Sequence, residues 1–255
     1  MKLSEVIGPY RVWQRNRDAF LNHWMAESTG MLVEPVLILT ALGLGLGGYV
    51  STINGIRYID YIAPGILASY AMFHATYECT YGSYLRLKTY HVFEAIITSP
   101  ITVDDVTIGE LLWGSTRSIM TTSAVLLGMI LFGLLVSPTI LLALPAAFLI
   151  GAMFSALSLA FAAVAPSFYT LNNFFTLFIT PMFFLSGTFF PLTQLPHALQ
   201  TASWILPLTS ATHLMRSIAT NDFNGATYLS IAIMCAYTAL FLLLSLFLMR
   251  RRLVQ

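Results

Sequence analysis

Charge is what this sequence has least of. Only 9% of its 255 residues are Asp, Glu, Lys or Arg, against roughly 25% in a typical soluble domain. Hydrophobic residues make up 57%, and mean hydropathy is +0.78. That balance excludes a soluble globular domain and implies an integral membrane protein. A net charge of +1 offers no basic surface for nucleic acid. Cysteine is almost as scarce: Cys79 and Cys235 both fall in apolar runs and form no CxxC, which excludes a disulfide framework and a thiolate metal site.

Motifs for chemistry are also missing. A P-loop needs Gly before its Lys, but Lys2 and Lys88 follow Met1 and Leu87, so the chain has no P-loop with which to bind ATP. His23, His74, His91, His197 and His213 form no HExxH, there is no GxSxG, and no two acids stand at metal-like spacing within a span. No catalytic residue, no metal and no cofactor bound by this chain are expected. Gly43, Gly45 and Gly48 formally match GxGxxG, but inside a continuous apolar run, where the strand, tight turn and solvated helix N-terminus of a dinucleotide site cannot form. Gly43 and Gly47 fit the GxxxG spacing of close helix packing instead. The order of regions in a signal peptide is absent ahead of the first apolar run, so the N-terminal segment is expected to be retained.

What is present is a series of hydrophobic stretches. They predict an all-α membrane protein in which residues 1–255 form one domain with six transmembrane helices. The spans run from about Met31 to Val50, Tyr61 to Tyr84, Val106 to Val136, Thr139 to Val164, Thr170 to Phe190 and Tyr228 to Met249. Span three is longer than the bilayer needs, so its first turns, with Glu110, are expected to emerge on the side of the preceding loop. Loops with Asn54, Gly55, Arg57 and Asp60, and with Ser137 and Pro138, join the first pair and the middle pair of spans.

Residues 1–29 predict an interfacial amphipathic helix, with Tyr10, Trp13, Phe20, Leu21 and Trp24 recurring between Arg11, Arg15, Arg17 and Asp18. A plain membrane anchor and a docking surface both fit it. Residues 86–110 are the largest polar island, carrying Arg86, Lys88, Glu94, Asp104, Asp105 and Glu110. The island fits a short helix along the membrane surface ended by Ser99-Pro100, or simply a solvated connection. In residues 191–225, Pro191, Pro196 and Pro207 leave pieces too short to span, which suit short re-entrant or interfacial helices. Basic residues sort by side: Lys2, Arg11, Arg15, Arg17, Arg86, Lys88 and Arg250 to Arg252 against Arg57 and Arg216. By the positive-inside rule both termini and the island are cytoplasmic, and the proline-broken region is outside.

Two ionisable residues fall inside spans. At a rise of ~1.5 Å per residue, Glu78 lies roughly 12 Å from Arg86 and Arg117 roughly 10 Å past Glu110. Similar depth on consecutive helices predicts an ion pair, since an unpaired charge there costs several kcal/mol; snorkelling to the cytoplasmic interface is the alternative. The aromatics Tyr70, Phe73, Tyr77, Phe183 and Phe184 suit either a route for an amphiphile or ordinary packing.

The segments EPVLILTALGLGLG (34–47), YECTYGSYLRLKTYHVFEAIITSPITVDDVTIGE (77–110), APSF (165–168), ITPMFFLSGTFFPLTQLP (179–196), LPLTSATHLMR (206–216) and RRRL (250–253) together resemble the type-2 ABC exporter permeases, most closely the nodulation-type lipo-oligosaccharide exporter permeases. The resemblance implies a six-span half-transporter in the bacterial cytoplasmic membrane. It would pair with a second permease copy, as a homodimer, and with two copies of a cytosolic ABC ATPase subunit that carries the ATP and Mg. It also implies that the ATPase is contacted by Arg11, Arg15 and Arg17 of the N-terminal helix and by Thr89, Tyr90, His91, Val92, Phe93, Glu94 and Ser99 of the island. The outer helices would cover Pro196 to Thr220, and the Glu78 and Arg117 positions would be acidic and basic. An ion-coupled secondary transporter and an intramembrane lipid-modifying enzyme are the rival classes; neither has its signature here, an internal repeat for the first or a catalytic cluster for the second.

Overall fold

The computed structural model describes residues 3–50, 52–53, 55–131, 133–134 and 138–253. Helix α1 (Leu3–Asn22) gives way after His23 to α2 (Trp24–Thr40), which continues through a π-helical turn (Ala41–Gly45) and a 3-10 turn (Leu46–Gly48). A two-residue-per-strand hairpin, β1 (Thr52–Ile53) and β2 (Ile56–Arg57), turns on Gly55 at φ 80°. Helix α3 (Tyr58–Tyr77) then runs on through π-helical turns at Glu78–Gly82 and Leu85–Thr89. The short α4 (Val92–Ile97) leads to α5 (Val103–Leu131), and a 3-10 turn (Pro138–Leu142) to α6 (Ala143–Val164). Helix α7 (Phe168–Phe174), a π turn (Phe175–Ile179) and α8 (Thr180–Leu185) form one rod. It is followed by α9 (His197–Ile205), α10 (Pro207–Thr220) and α11 (Gly225–Leu253).

Small residues set the packing. A Cβ on Gly151 of α6 would lie 2.7 Å from the Ser115 Cα of α5, and one on Gly65 of α3 would lie 2.9 Å from the Thr188 Cα. Only glycine lets backbones approach this closely, the usual basis of helix association in lipid. The main core joins α3, α5, α6 and α10 through Ile62, Ile66, Met72, Val125, Ile150, Phe154 and Met215, all fully buried.

Among the described residues, four helical segments are long and apolar enough to cross a membrane: Glu27–Gly48, Thr139–Val164, Phe168–Leu185 and Gly225–Leu253. The other two expected spans, α3 and α5, are long helices that carry more hydroxyls and charge, and most of the α3 side chains are buried against the rest of the bundle. Several boundaries differ from expectation. The N-terminal helix stops at Asn22, and the helix that carries the first span opens at Trp24, which moves Glu27 from the expected interfacial helix to the start of that span. Arg86 belongs to the continuation of α3 and does not open a loop. Glu110, expected to emerge with the first turns of its span, is fully buried because three polar partners hold it inside. Lys2, Asn54, Val136 and Ser137 lie outside the described residues.

Proline placed the breaks around α9 and α10. Pro196 caps α9, Pro207 opens α10, and Asn221 ends α10 at φ 55°. At the other face of the molecule, α5 starts with a reciprocal cap. The Thr102 amide and hydroxyl both donate to the Asp105 carboxylate, and the Asp105 amide donates back to the Thr102 hydroxyl.

Candidate functional site

The functional candidates gather where α1, α2, α3 and α5 meet. Arg86 Nη2 donates to Glu110 Oε2 at 2.6 Å and to Glu78 Oε1 at 2.9 Å. Glu110 also accepts from Asn16 Nδ2 at 2.8 Å and from the Ser83 hydroxyl at 2.7 Å. Arg117 Nη2 lies 2.8 Å from Glu27 Oε2, and its Nε lies 3.5 Å from Glu78 Oε2 without hydrogen-bond alignment. Glu78 and Arg117 therefore do face each other, but each has a nearer partner: Arg86 for Glu78 and Glu27 for Arg117.

The π-helical turns explain the Glu78 to Arg86 bond. Eight residues of regular α-helix rotate about 80° past two full turns. The wider turns of i to i+5 bonding over 78–82 and 85–89 take up that excess, so that Glu78 and Arg86 meet on one face and Arg86 also reaches Glu110. Arg117 is packed under the rings of Phe20 and Trp113, with its Cζ 4.7 and 5.9 Å from their centroids.

Helix α1 is docked along α5. A Cβ on Gly109 would sit 2.8 Å from the Pro9 carbonyl oxygen and 2.5 Å from Val12 Cβ, and Trp13 Nε1 donates to the Thr116 hydroxyl at 2.9 Å. Of the arginines expected to meet a partner, Arg11 is exposed, Arg17 is tied to Asp18, and Arg15 donates to Asn16 Oδ1 at the edge of the buried cluster. Burial lowers the Arg15 pKa, with the Glu110 carboxylate acting against that shift.

The island is a turn built on an anchor. His91 adopts a left-handed conformation (φ 50°) that reverses the chain into α4, and its Nδ1 lies 3.1 Å from Glu94 Oε2. Phe93 is fully buried among Val12, Leu87, Val106, Ala163 and Met249, so its side chain fixes the turn and cannot touch a partner. Thr89, Tyr90, His91, Glu94 and Ser99 are exposed, and Val92 is half-buried. Arg250, at the end of α11, donates through Nε to Asp104 Oδ1 at 2.6 Å, which joins the last helix to the start of α5.

The expected aromatic path divides in two. Tyr70, Phe73, Phe183 and Phe184 form one series, with ring centroids 5.9, 5.0 and 5.2 Å apart. Phe183 and Phe184 face a mostly apolar cavity of about 870 Å³ beside Leu42, Tyr58 and Phe190. Tyr77 belongs to a separate exposed set, 4.8 Å from Tyr81 and 6.0 Å from Phe175. Among the described residues no three His, Cys, Asp or Glu side chains could hold a metal ion.

The family model described as ABC-2 type transporter matches residues 10–220, from the docked N-terminal helix through the island to the end of α10. The chain belongs to the ABC-2 type transporter family. It is similar to Nodulation protein J of Sinorhizobium fredii (strain NBRC 101917 / NGR234), 35% identical over 244 residues, which are 96% of this chain and 93% of that protein. Nodulation protein J of Rhizobium meliloti (strain 1021) is 35% identical over 243 residues, 95% and 93% of the two chains. The Inner membrane transport permease YadH of Escherichia coli (strain K12) is 22% identical over 200 residues, 77% of each. The chain is thus an ABC-2 permease, a multi-pass membrane subunit of a transport system whose family works with a cytosolic ATPase.

Sequence reasoning paired Glu78 with Arg117 and left out Arg86, Glu110, Asn16 and Glu27. By sequence Arg86 and Glu110 bound the polar island, and Glu27 falls within the interfacial segment 1–29. Of these only Arg86 has a local signal, lying eight residues after Glu78 on a helix that runs past the expected loop boundary; Glu110, Asn16 and Glu27 are brought in by tertiary contacts.

Proposed function

We propose that this ABC-2 permease is the membrane half of an ATP-driven exporter. It forms a homodimer in the bacterial inner membrane, with six spans per copy and both termini in the cytoplasm. Two copies of a separate cytosolic ATPase subunit supply ATP hydrolysis, and the cargo moves outward. The cargo is an amphiphile: the apolar cavity at Phe183 and Phe184 suits its acyl or ring portion, and the similarity to nodulation proteins favours a lipo-oligosaccharide or related glycolipid.

One observation carries the reading: Arg86 bonds α3, the helix that feeds α4, to Glu110 of α5, which in turn holds Asn16 of α1. Force applied to the exposed Glu94 face of α4 would pass through a buried, charge-assisted joint to three helices at once. A solvated loop needs no such joint. In this reading ATPase closure pushes α4, α1 moves with it, and the inner ends of α3 and α5 tilt.

The test is affinity capture of the detergent-solubilised chain, followed by an ATPase assay, for wild type and Glu94→Arg. Wild type is expected to retain an ATPase subunit, and the charge reversal to lose it or uncouple it. Absence of any nucleotide-binding partner from a folded wild-type preparation overturns the reading and returns the secondary transporter and the lipid enzyme to consideration.

A further inference from the structure

A second cavity, of about 380 Å³, lies between the end of α11 and the turn leading into α4. Lys88 lines it from one side and Arg251 and Arg252 from the other, with Leu87 and Leu253 as its apolar lining. Among the described residues the one acid in the lining is Glu94, bridged to His91 at 3.1 Å. Arg250, the remaining basic residue of the triplet, is taken up by Asp104, which fixes the end of α11 and leaves its two neighbours to the cavity. The notch thus carries three cations against one carboxylate, and among the described residues Lys88, Arg251 and Arg252 have no ion-pair partner.

The surface of α11 below it is equally specific. Leu243, Phe247 and Arg251 follow one another at intervals of four along one face of the helix, and Leu243 and Phe247, with Leu240 and Leu244 beside them, are exposed. An apolar track therefore runs along α11 into the basic notch. An acidic protein segment would require only the cations. The track demands a hydrocarbon chain, and the cations at its end demand an anion.

We propose that this notch is a binding site for an anionic phospholipid, with the phosphodiester held by Lys88, Arg251 and Arg252 and an acyl chain lying along Phe247 and Leu243. Basic pockets at the ends of membrane helices recognise lipid headgroups in this way. Because Lys88, His91 and Glu94 belong to the segment that positions α4, occupancy would bear on the geometry of that segment. The assignment rests on the membrane embedding of α11 and is independent of the ATPase reading.

The test uses the full-length chain, delipidated in detergent and titrated with dioleoyl phosphatidylglycerol or dioleoyl phosphatidylcholine, with retained lipid read by native mass spectrometry. Phosphatidylglycerol is expected to be retained in preference. The double variant Arg251→Gln with Arg252→Gln should weaken its retention about thirtyfold, taking a contribution near one charge's worth for each arginine, and should leave phosphatidylcholine unchanged. Arg250 stays in place so that α11 keeps its tie to α5. Lys88→Gln, on a separate element, should act in the same direction and guards against a local folding defect at the C-terminus. Equal retention of the two lipids, or no response to either variant, overturns the proposal. Competition by inorganic phosphate as effective as that by phosphatidylglycerol would reassign the notch to free anions. Loss of a co-purifying ATPase with lipid retention intact would reassign it to a protein partner.

Discussion

The Arg86 to Glu110 joint makes the sharpest claim about how this permease is held together, and a double-mutant cycle tests it. Arg86→Met removes the guanidinium while keeping an unbranched apolar stem. Glu110 is completely buried, and removing one member of a buried pair costs about 3–5 kcal/mol. Asn16 and Ser83 still donate to Glu110 at 2.8 and 2.7 Å, so the lower end, about 3 kcal/mol, applies. Glu110→Gln leaves Arg86 with Glu78 at 2.9 Å and should cost about 2 kcal/mol, because a charged partner is lost while one remains. The double variant buries neither charge of the pair and should cost about 3 kcal/mol, close to the larger single, giving a coupling of roughly 2 kcal/mol. The assay is unfolding of the four proteins in mixed micelles titrated with denaturing detergent, followed by far-UV circular dichroism. Additivity of the two single effects to within about 0.5 kcal/mol would refute the joint.

The island should separate anchor from surface. Phe93→Ala empties a fully buried site and is expected to cost about 3–5 kcal/mol, whereas Glu94→Arg, next in sequence and exposed, should change stability by no more than about 0.5 kcal/mol while abolishing ATPase coupling; thermal unfolding and the capture assay read the two. Gly109→Ala places a Cβ against the Pro9 carbonyl and should destabilise by about 1–3 kcal/mol as an overpacked contact, with α1 becoming more accessible to limited proteolysis. Asp104→Asn breaks a pair that is largely exposed, its side chains 33% and 59% accessible, and should cost less than about 1 kcal/mol, falling further in high salt.

Much of the helical layout was legible because hydropathy and proline are local signals. The runs at 139–164 and 225–253 are long and strongly apolar, and Pro196 and Pro207 mark the starts of α9 and α10. The buried charges were harder to place. Composition reads Arg86 and Glu110 as loop residues, because a charge is normally solvated; they are buried because each supplies the other's partner, and pairing across 24 residues leaves no local mark. Glu27 was misplaced for a related reason. The helix break at His23 depends on α1 docking against α5 through Gly8 and Gly109, a tertiary contact that periodicity cannot report. Phe93 looked like any aromatic in a polar stretch until its neighbours from α1, α5, α6 and α11 were assembled around it.

The two ends of the bundle are held by different chemistry, and this gives a way to perturb them separately. At the end carrying the island the joints are ion pairs between opposite full charges. At the other end they are carbonyl contacts on the turn at Gly187: Arg216 Nη2 donates to the Gly187 oxygen at 3.0 Å, Thr212 Oγ1 to the Ser186 oxygen at 2.8 Å, and Arg216 Cζ lies 4.2 Å over the Tyr61 ring. Gly187 itself sits at φ 77°, where an L side chain costs about 1–2 kcal/mol. Coulomb attraction falls only as the inverse of distance, but a hydrogen bond is lost once donor and acceptor separate beyond about 3.5 Å. Small displacements should therefore leave the charged end connected and open the carbonyl clamp outright. Gly187→Ala is expected to raise amide hydrogen exchange in α10 and the first turns of α3 while leaving α4 and the start of α5 protected. Arg86→Met should give the reverse pattern. If both variants raised exchange over the same residues, the bundle would respond as one cooperative unit, and a push on α4 could not tilt the island ends of the helices while the Gly187 clamp held.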